Sequence, residues 1–270
     1  MATLLPYRGD TSIFYRQKPG LGIVLKSPMY VGEDVANRTD LIHDIAGCFW
    51  VERRIYERLG HHPRIVRYIG YQSRPGDPEG LILAEANLGN LQAFIDQRNG
   101  SIKLSLRLKW CLQTAEAVTY IHERGVIHSD LRLENILVHA SATVTGASLD
   151  LLLCDFGGST CEELNLDGGR LPEDPFYDPN RPRVSTIATD IFSLGSIFYT
   201  ILTGRWPLQQ SDSMSTAEDK FSYQRRVNFC FRRGQFPDVS GMMLGEVVMG
   251  CWTHKYLTAG AVLRALYAEL

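Results

Sequence analysis

The feature that most constrains the fold is a polar octapeptide, His128-Ser129-Asp130-Leu131-Arg132-Leu133-Glu134-Asn135, set directly before the apolar run Ile136 to Val138. A second apolar run, Leu151 to Cys154, ends in Asp155-Phe156-Gly157. Short apolar runs bounded by polar motifs read as buried strands, so an amide and a carboxylate, Asn135 and Asp155, fall at the ends of neighbouring strands. Oxygen donors placed this way can hold a hard cation such as Mg²⁺. Asp130 is left over as a carboxylate base.

The rest of the chain has to supply a scaffold for that cluster. At 270 residues, the prior of about 150 residues per domain allows one large domain or two lobes. Lys+Arg 28 against Asp+Glu 30 gives a net charge of −2, too little basic excess to drive nucleic-acid binding by counterion release. Nucleic acid is therefore not expected as a partner. The cysteines at 48, 111, 154, 161, 230 and 251 form no C-x-x-C pair, and most are expected as buried, reduced core residues. No basic segment followed by an apolar run opens the chain, and no stretch of about 18 apolar residues occurs. No membrane partner is expected, and a cytoplasmic or nuclear location is the default.

The first ~85 residues mix β-rich runs with one helix. Ile13 to Tyr15 and Gly22 to Lys26 predict a hairpin turning at Lys18-Pro19-Gly20, and Ile65 to Tyr71 and Leu81 to Glu85 predict a second strand pair. Between them Ile45, Cys48, Phe49, Tyr56 and Leu59 recur at helical spacing, with Gly60 as the stop. From Leu91 the pattern is mainly helical: an apolar stripe from Leu108 to Ile121, then an all-round apolar helix from about Asp190 to Thr203. Leu164 to Thr186 is a long irregular segment of the kind that carries function. Glu52 stands on the apolar stripe of the first helix, where an unpaired charge is costly.

In this order and on these strand edges, the two motifs have the spacing of the catalytic loop and metal-binding motif of protein kinases. The chain resembles a eukaryotic-type protein kinase domain over nearly its whole length. The resemblance implies an α+β, bilobal fold: a small antiparallel β-sheet lobe with one helix (residues 1–85), a hinge (86–90) and a larger, mainly helical lobe (91–270). It implies ATP and Mg²⁺ as cofactors and a protein substrate. Lys26 becomes the strand lysine that contacts the α- and β-phosphates, with Glu52 as its helix partner. Asp130 accepts the substrate proton, Arg132 contacts phosphate, and Asn135 and Asp155 hold Mg²⁺. Gly9, Ser12, Glu85, Ala86 and Leu137 complete the nucleotide site, with Glu85 and Ala86 offering hinge backbone to adenine and either Leu83 or Ala84 as gatekeeper. Tyr56, Tyr68, Phe156 and His128 would stack as a spine, Asp190 would anchor the catalytic loop, and Cys251-Trp252 would pack beneath the last helices.

The departures from the family pattern are as specific. Tyr7, Gly9, Ser12 and Phe14 stand where the glycine-rich loop has three glycines and a small apolar residue, which predicts weaker or altered ATP binding. Ser129 replaces the arginine that receives a phosphorylated activation loop. The Ala-Pro-Glu motif is absent, with Tyr177-Asp178-Pro179 near its place, and Lys255-Tyr256 follow Cys251-Trp252 where the motif's arginine partner is expected. Glu134 before Asn135 follows the serine/threonine pattern, while Arg132 also occurs in one tyrosine-kinase version of the loop. The leading function is transfer of the γ-phosphoryl group of Mg-ATP to a protein Ser/Thr hydroxyl. The alternatives are a catalytically weak pseudokinase serving as a nucleotide-binding or scaffolding module, and a small-molecule phosphotransferase.

Overall fold

A five-stranded antiparallel sheet occupies the N-terminal part of the computed structural model, which describes residues 3–9, 11–17, 20–143, 146–210 and 216–270. Its strands are β1 (Thr3–Arg8), β2 (Ser12–Arg16), β3 (Ile23–Pro28), β4 (Tyr68–Gln72) and β5 (Gly80–Ala84), in the order β1-β2-β3-β5-β4. β3 is central and buried along its middle, so Lys26 is only 4% exposed. Gly80 lets β5 begin against it, because a Cβ at that position would lie 2.0 Å from the Lys26 carbonyl oxygen.

Two differences from the sequence reading lie here. β1 carries Pro6 and an irregular register between Leu4 and Arg8, features tolerated at a sheet edge that hide the strand's pattern. β4 starts at Tyr68 rather than Ile65, because Ile65 forms a parallel bridge with Leu153 instead. Val66 N–H donates to Leu153 O at 2.9 Å, and Leu153 N–H to Arg64 O at 2.8 Å. The segment therefore ties the sheet to the second half of the chain. Lys18 and Pro19 of the expected turn lie outside the described residues.

Helix α1 (Arg38–Leu59) packs beside the sheet through Ile45, Phe49, Ile55, Tyr56 and Leu59. It begins earlier than the apolar stripe indicates, since its first turns are mostly polar. Gly60 ends it at φ 64°, donating to Tyr56 O, a conformation that glycine adopts freely.

The C-terminal part is mainly helical: α2 (Leu91–Arg98), α3 (Leu104–His122), then the hairpin β6 (Ile136–Thr143) and β7 (Gly146–Leu153). This hairpin outruns the two apolar runs because its outer half is polar and less buried. The short pair β8 (Thr160–Cys161) and β9 (Leu166–Asp167) precedes an irregular stretch up to α4 (Ile187–Thr203), and α5 (Ala217–Phe231), α6 (Gly245–Trp252) and α7 (Ala259–Glu269) follow. α4 is buried on nearly all faces, as its composition requires. Its N-cap is Thr186, in a capping box with Thr189, which leaves Asp190 free for another role. Trp252 packs beneath α4 and donates from Nε1 to Ser196 Oγ at 3.0 Å.

The fold is α+β, with an antiparallel sheet and one helix set against a helical body. Of the cysteines, 111, 161 and 251 are buried and 48, 154 and 230 half-buried, all unpaired. Among the described residues no helix is long and apolar enough to cross a membrane.

Candidate active site

A cavity of about 330 Å³ opens between the sheet and the helical part. Leu5 of β1, Ser12 and Phe14 of β2 and Gly9 between the two strands roof it, and Leu137 of β6 lines the floor. Leu5 is a residue the sequence reading misses, because β1 itself is not legible.

At the rear, Lys26 Nζ lies 2.7 Å from Glu52 Oε2 and 2.8 Å from Asp155 Oδ1. Both Lys26 and Glu52 are almost fully buried. Burial opposes the lysine's charge, but the two carboxylates outweigh it and raise its pKa. Burial pushes Glu52 up to about 7 against the pull of Lys26. Burial acts in the same direction on Asp155, yet Lys26 beside it holds that carboxyl below its ordinary range. The ion pair demanded by a carboxylate on an apolar stripe is formed, and it includes Asp155 as well.

The aromatic stack is present. Tyr56 stacks on Tyr68 at 5.6 Å between ring centroids, and Phe156 meets Tyr56 and His128 at 5.1 Å each. Phe156 is thereby packed between α1 and the His128–Asn135 loop.

Below the cavity, Asp190 accepts from the backbone N–H groups of His128 (2.8 Å) and Ser129 (3.0 Å), with His122 Nε2 at 2.9 Å. This carboxylate of α4 fixes the loop, including Ser129 at φ 70°, a backbone conformation costly for a non-glycine residue. Asn135 Nδ2 donates to Asp130 O (2.8 Å) and Oδ2 (3.1 Å), and Arg132 Nε lies 3.9 Å from Asp130 Oδ2. Burial raises the Asp130 pKa more than Arg132 lowers it. Ser129 is buried, and its hydroxyl meets those of Ser185 and Thr160, so hydroxyl contacts replace an arginine there. Cys154 lines the cavity too, but burial pushes its thiol pKa up and Sγ donates to Asn135 O.

The end of β5 and the residues after it line one edge of the cavity. Leu83 stands opposite Val24 and is buried, Ala84 is half-buried, and both line the cavity. The Glu85 N–H is bonded to Gly22 O at 2.7 Å and its carboxylate is tied to Arg16. That N–H is spent on sheet closure, and Glu85 lines the cavity with Ala84 and Ala86. Ala86 N–H and C=O have no hydrogen-bond partner among the described residues.

A sequence model described as "Protein kinase domain" matches residues 37–239. β1 to β3, with Lys26, lie ahead of the matched span. The chain is similar to serine/threonine-protein kinase pim-2 of Danio rerio, 30% identical over 175 residues, covering 63% of this chain and 53% of that protein. It is similar to fibroblast growth factor receptor 1 of Dugesia japonica, 30% identical over 227 residues (78% and 24%). It is also similar to probable serine/threonine-protein kinase SIS8 of Arabidopsis thaliana, 26% identical over 252 residues (88% and 22%). The chain spans at most 53% of the length of these relatives. With the matched model covering most of the chain and lying over the same loop, Asp-Phe-Gly turn and anchoring helix, the chain belongs to the protein kinase domain family.

Proposed function

We propose that this domain transfers the γ-phosphoryl group of Mg-ATP to a protein hydroxyl, with serine or threonine as the favoured acceptor. One observation carries the reading: Lys26 bridges Glu52 at 2.7 Å and Asp155 at 2.8 Å in the cavity that Asn135 also lines, beside Asp130. In this reading residues 1–85 form the small lobe, 86–90 the hinge and 91–270 the large lobe. Relatives named serine/threonine-protein kinases, together with Glu134 beside Asn135, support the acceptor class.

The donor set fits a hard cation. Asp155 has one oxygen on Lys26, its side chain is 47% exposed, and the Asn135 amide oxygen takes no bond from the Asp130 contacts made by Nδ2. Among the described residues no group of three or more His, Cys, Asp or Glu could hold a metal alone, which suits an ion that takes its remaining ligands from phosphates and water. Mg²⁺ bound by Asn135 and Asp155 would neutralise phosphate charge.

The chain's own groups divide the remaining work. Leu5 and Leu137 enclose an apolar base, and Ala86 offers it a free N–H and C=O. Lys26, held straight by Glu52, meets the α- and β-phosphates. The acceptor oxygen attacks the γ-phosphorus in line as the bond to the β–γ bridging oxygen breaks, ADP departs, and the hydroxyl proton passes to Asp130. A carboxylate whose pKa burial raises is a better base for that proton. Arg132 contributes positive charge beside it.

The test is incubation of the purified chain with labelled ATP, Mg²⁺ and a general protein acceptor, beside Asp130→Asn, with melting measured in parallel. Label above the control, with a nucleotide-dependent rise in melting temperature, is the expected result. A rise without label supports a nucleotide-binding pseudokinase, a reading the glycine-poor β1–β2 turn favours. Neither rise nor label overturns both.

A further inference from the structure

The chain leaving Asp155-Phe156-Gly157 returns on itself through β8 and β9, and the two passes cross at glycines. A Cβ on Gly168 would lie 2.3 Å from Gly157 O and 2.6 Å from Gly158 Cα, and one on Gly158 would lie 2.8 Å from Arg170 Cβ. Gly168 N–H donates to Ser159 O at 2.9 Å and closes the crossing. Backbones this close leave no room for side chains at either position, and the result is to lay Arg170 along Gly158. Arg170 then lines the cleft cavity with Arg132, Asn135 and Asp155.

We propose that Arg170 is a γ-phosphoryl-binding residue, a cation delivered by the irregular segment to the catalytic end of the cleft. The inference rests on the phosphoryl-transfer reading. The transferred group must sit where both Asp130, which takes the proton, and Asp155, which faces the phosphates, can act on it. Arg170 lines the same cavity as Asn135 and Asp155, and its charge is favoured there: burial opposes it, while the Cys48 thiol first and then the carboxylates of Asp130 and Asp155 raise its pKa. A guanidinium presents a planar fork of donors that matches phosphate oxygens.

The roof gives this cation a reason to exist. Of the three glycines whose backbone N–H groups would close over phosphates, only Gly9 is present, and Ser12 is 2% exposed with its side chain against the cavity. Lys26 is committed at the rear to Glu52 and Asp155. Arg170 adds a cation to the same cavity from the irregular segment.

The experiment measures affinity for ATP and for ADP, each with Mg²⁺, by thermal shift and titration on the wild-type chain, Arg170→Ala and Arg170→Lys. The expected result is ATP binding about tenfold weaker in Arg170→Ala, the scale of one charge-assisted hydrogen bond, with ADP binding unchanged and Arg170→Lys intermediate. Equal losses for both nucleotides, or no loss, overturn the inference while leaving phosphoryl transfer intact. A wild-type chain that binds neither nucleotide overturns the phosphoryl-transfer reading and the inference together. Melting without nucleotide checks the fold of each variant. If Arg170→Ala is unfolded, Arg170→Lys decides: an unchanged ATP-to-ADP affinity ratio overturns the inference.

Discussion

Asp178 Oδ2 accepts a hydrogen bond from His254 Nε2 at 2.7 Å, joining the irregular segment before α4 to the turn after α6. Asp178 is 6% exposed, and its Oδ1 takes the Asn180 N–H at 2.9 Å. Burial favours its neutral form, but His254 and Asn180 outweigh this and hold the carboxyl below its ordinary range. The Phe192 ring of α4 lies beside His254. Where the resemblance leads one to expect a glutamate–arginine pair, this chain has an aspartate–histidine contact, made by His254 and not by Lys255 or Tyr256, which stand at the arginine's place.

Removing that imidazole leaves a buried carboxylate with a lost partner. His254→Ala is expected to destabilise the domain by about 1–3 kcal/mol, the cost of an unmet buried hydrogen bond to a charge. Asp178→Asn and the double variant complete a cycle whose coupling should reach about 1 kcal/mol. Chemical denaturation of the four proteins measures it, and strict additivity would show that the contact contributes nothing.

Lys26 and Glu52 allow stability to be separated from chemistry. Lys26→Met strands Glu52, a carboxylate 1% exposed, and should cost about 3 kcal/mol, as breaking a buried ion pair does. Adding Glu52→Leu should recover most of that loss, because an apolar pair of similar volume packs there. Phosphoryl transfer should stay at least about a hundredfold down in both variants, since Lys26 is absent from each. A double variant as unstable as the single one would mean that the stranded charge is not the cause.

The roof makes a prediction of the opposite sign. Ser12→Gly restores one glycine above the cavity, so Mg-ATP affinity should rise several-fold. The melting temperature should fall by about 2–4 °C, reflecting roughly 1 kcal/mol for glycine in a strand. Titration with ATP beside a melting curve tests both halves, and a loss of affinity would mean that Ser12 contributes a contact instead of an obstruction.

What the sequence makes legible follows from how local each signal is. Asn135 and Asp155 read directly because they border short apolar strands, and Glu52 reads because a charge on an apolar stripe demands a partner. Leu5 does not read, since its strand holds Pro6 and an irregular register. Neither does Arg170, because a tertiary crossing of Gly168 over Gly157 and Gly158, and no periodicity, aims it into the cleft. Nor does the contact of Glu85 with Gly22, in which the Glu85 N–H is taken by a partner 63 residues away that only sheet closure supplies.

Asp130 couples acidity to stability. Burial holds its pKa above the ordinary aspartate value of 3.8, so the folded state binds this proton more tightly than the unfolded chain. The stability this provides is fully present below the unfolded pKa and is lost as pH rises through the folded one. At neutral pH the charged carboxylate is therefore a cost, and Asp130→Asn should melt higher than the wild type. The gain should shrink as pH falls through the raised folded pKa and vanish below the unfolded value of about 3.9, where the carboxyl is neutral in both states. The same variant should lose about 10²–10⁴ in phosphoryl transfer, and the acid limb of the wild-type kcat/KM profile should lie above the ordinary aspartate range. Melting curves of the two proteins across this pH span decide it: a variant that melts lower than wild type at neutral pH would show that the Asp130 charge stabilises the loop.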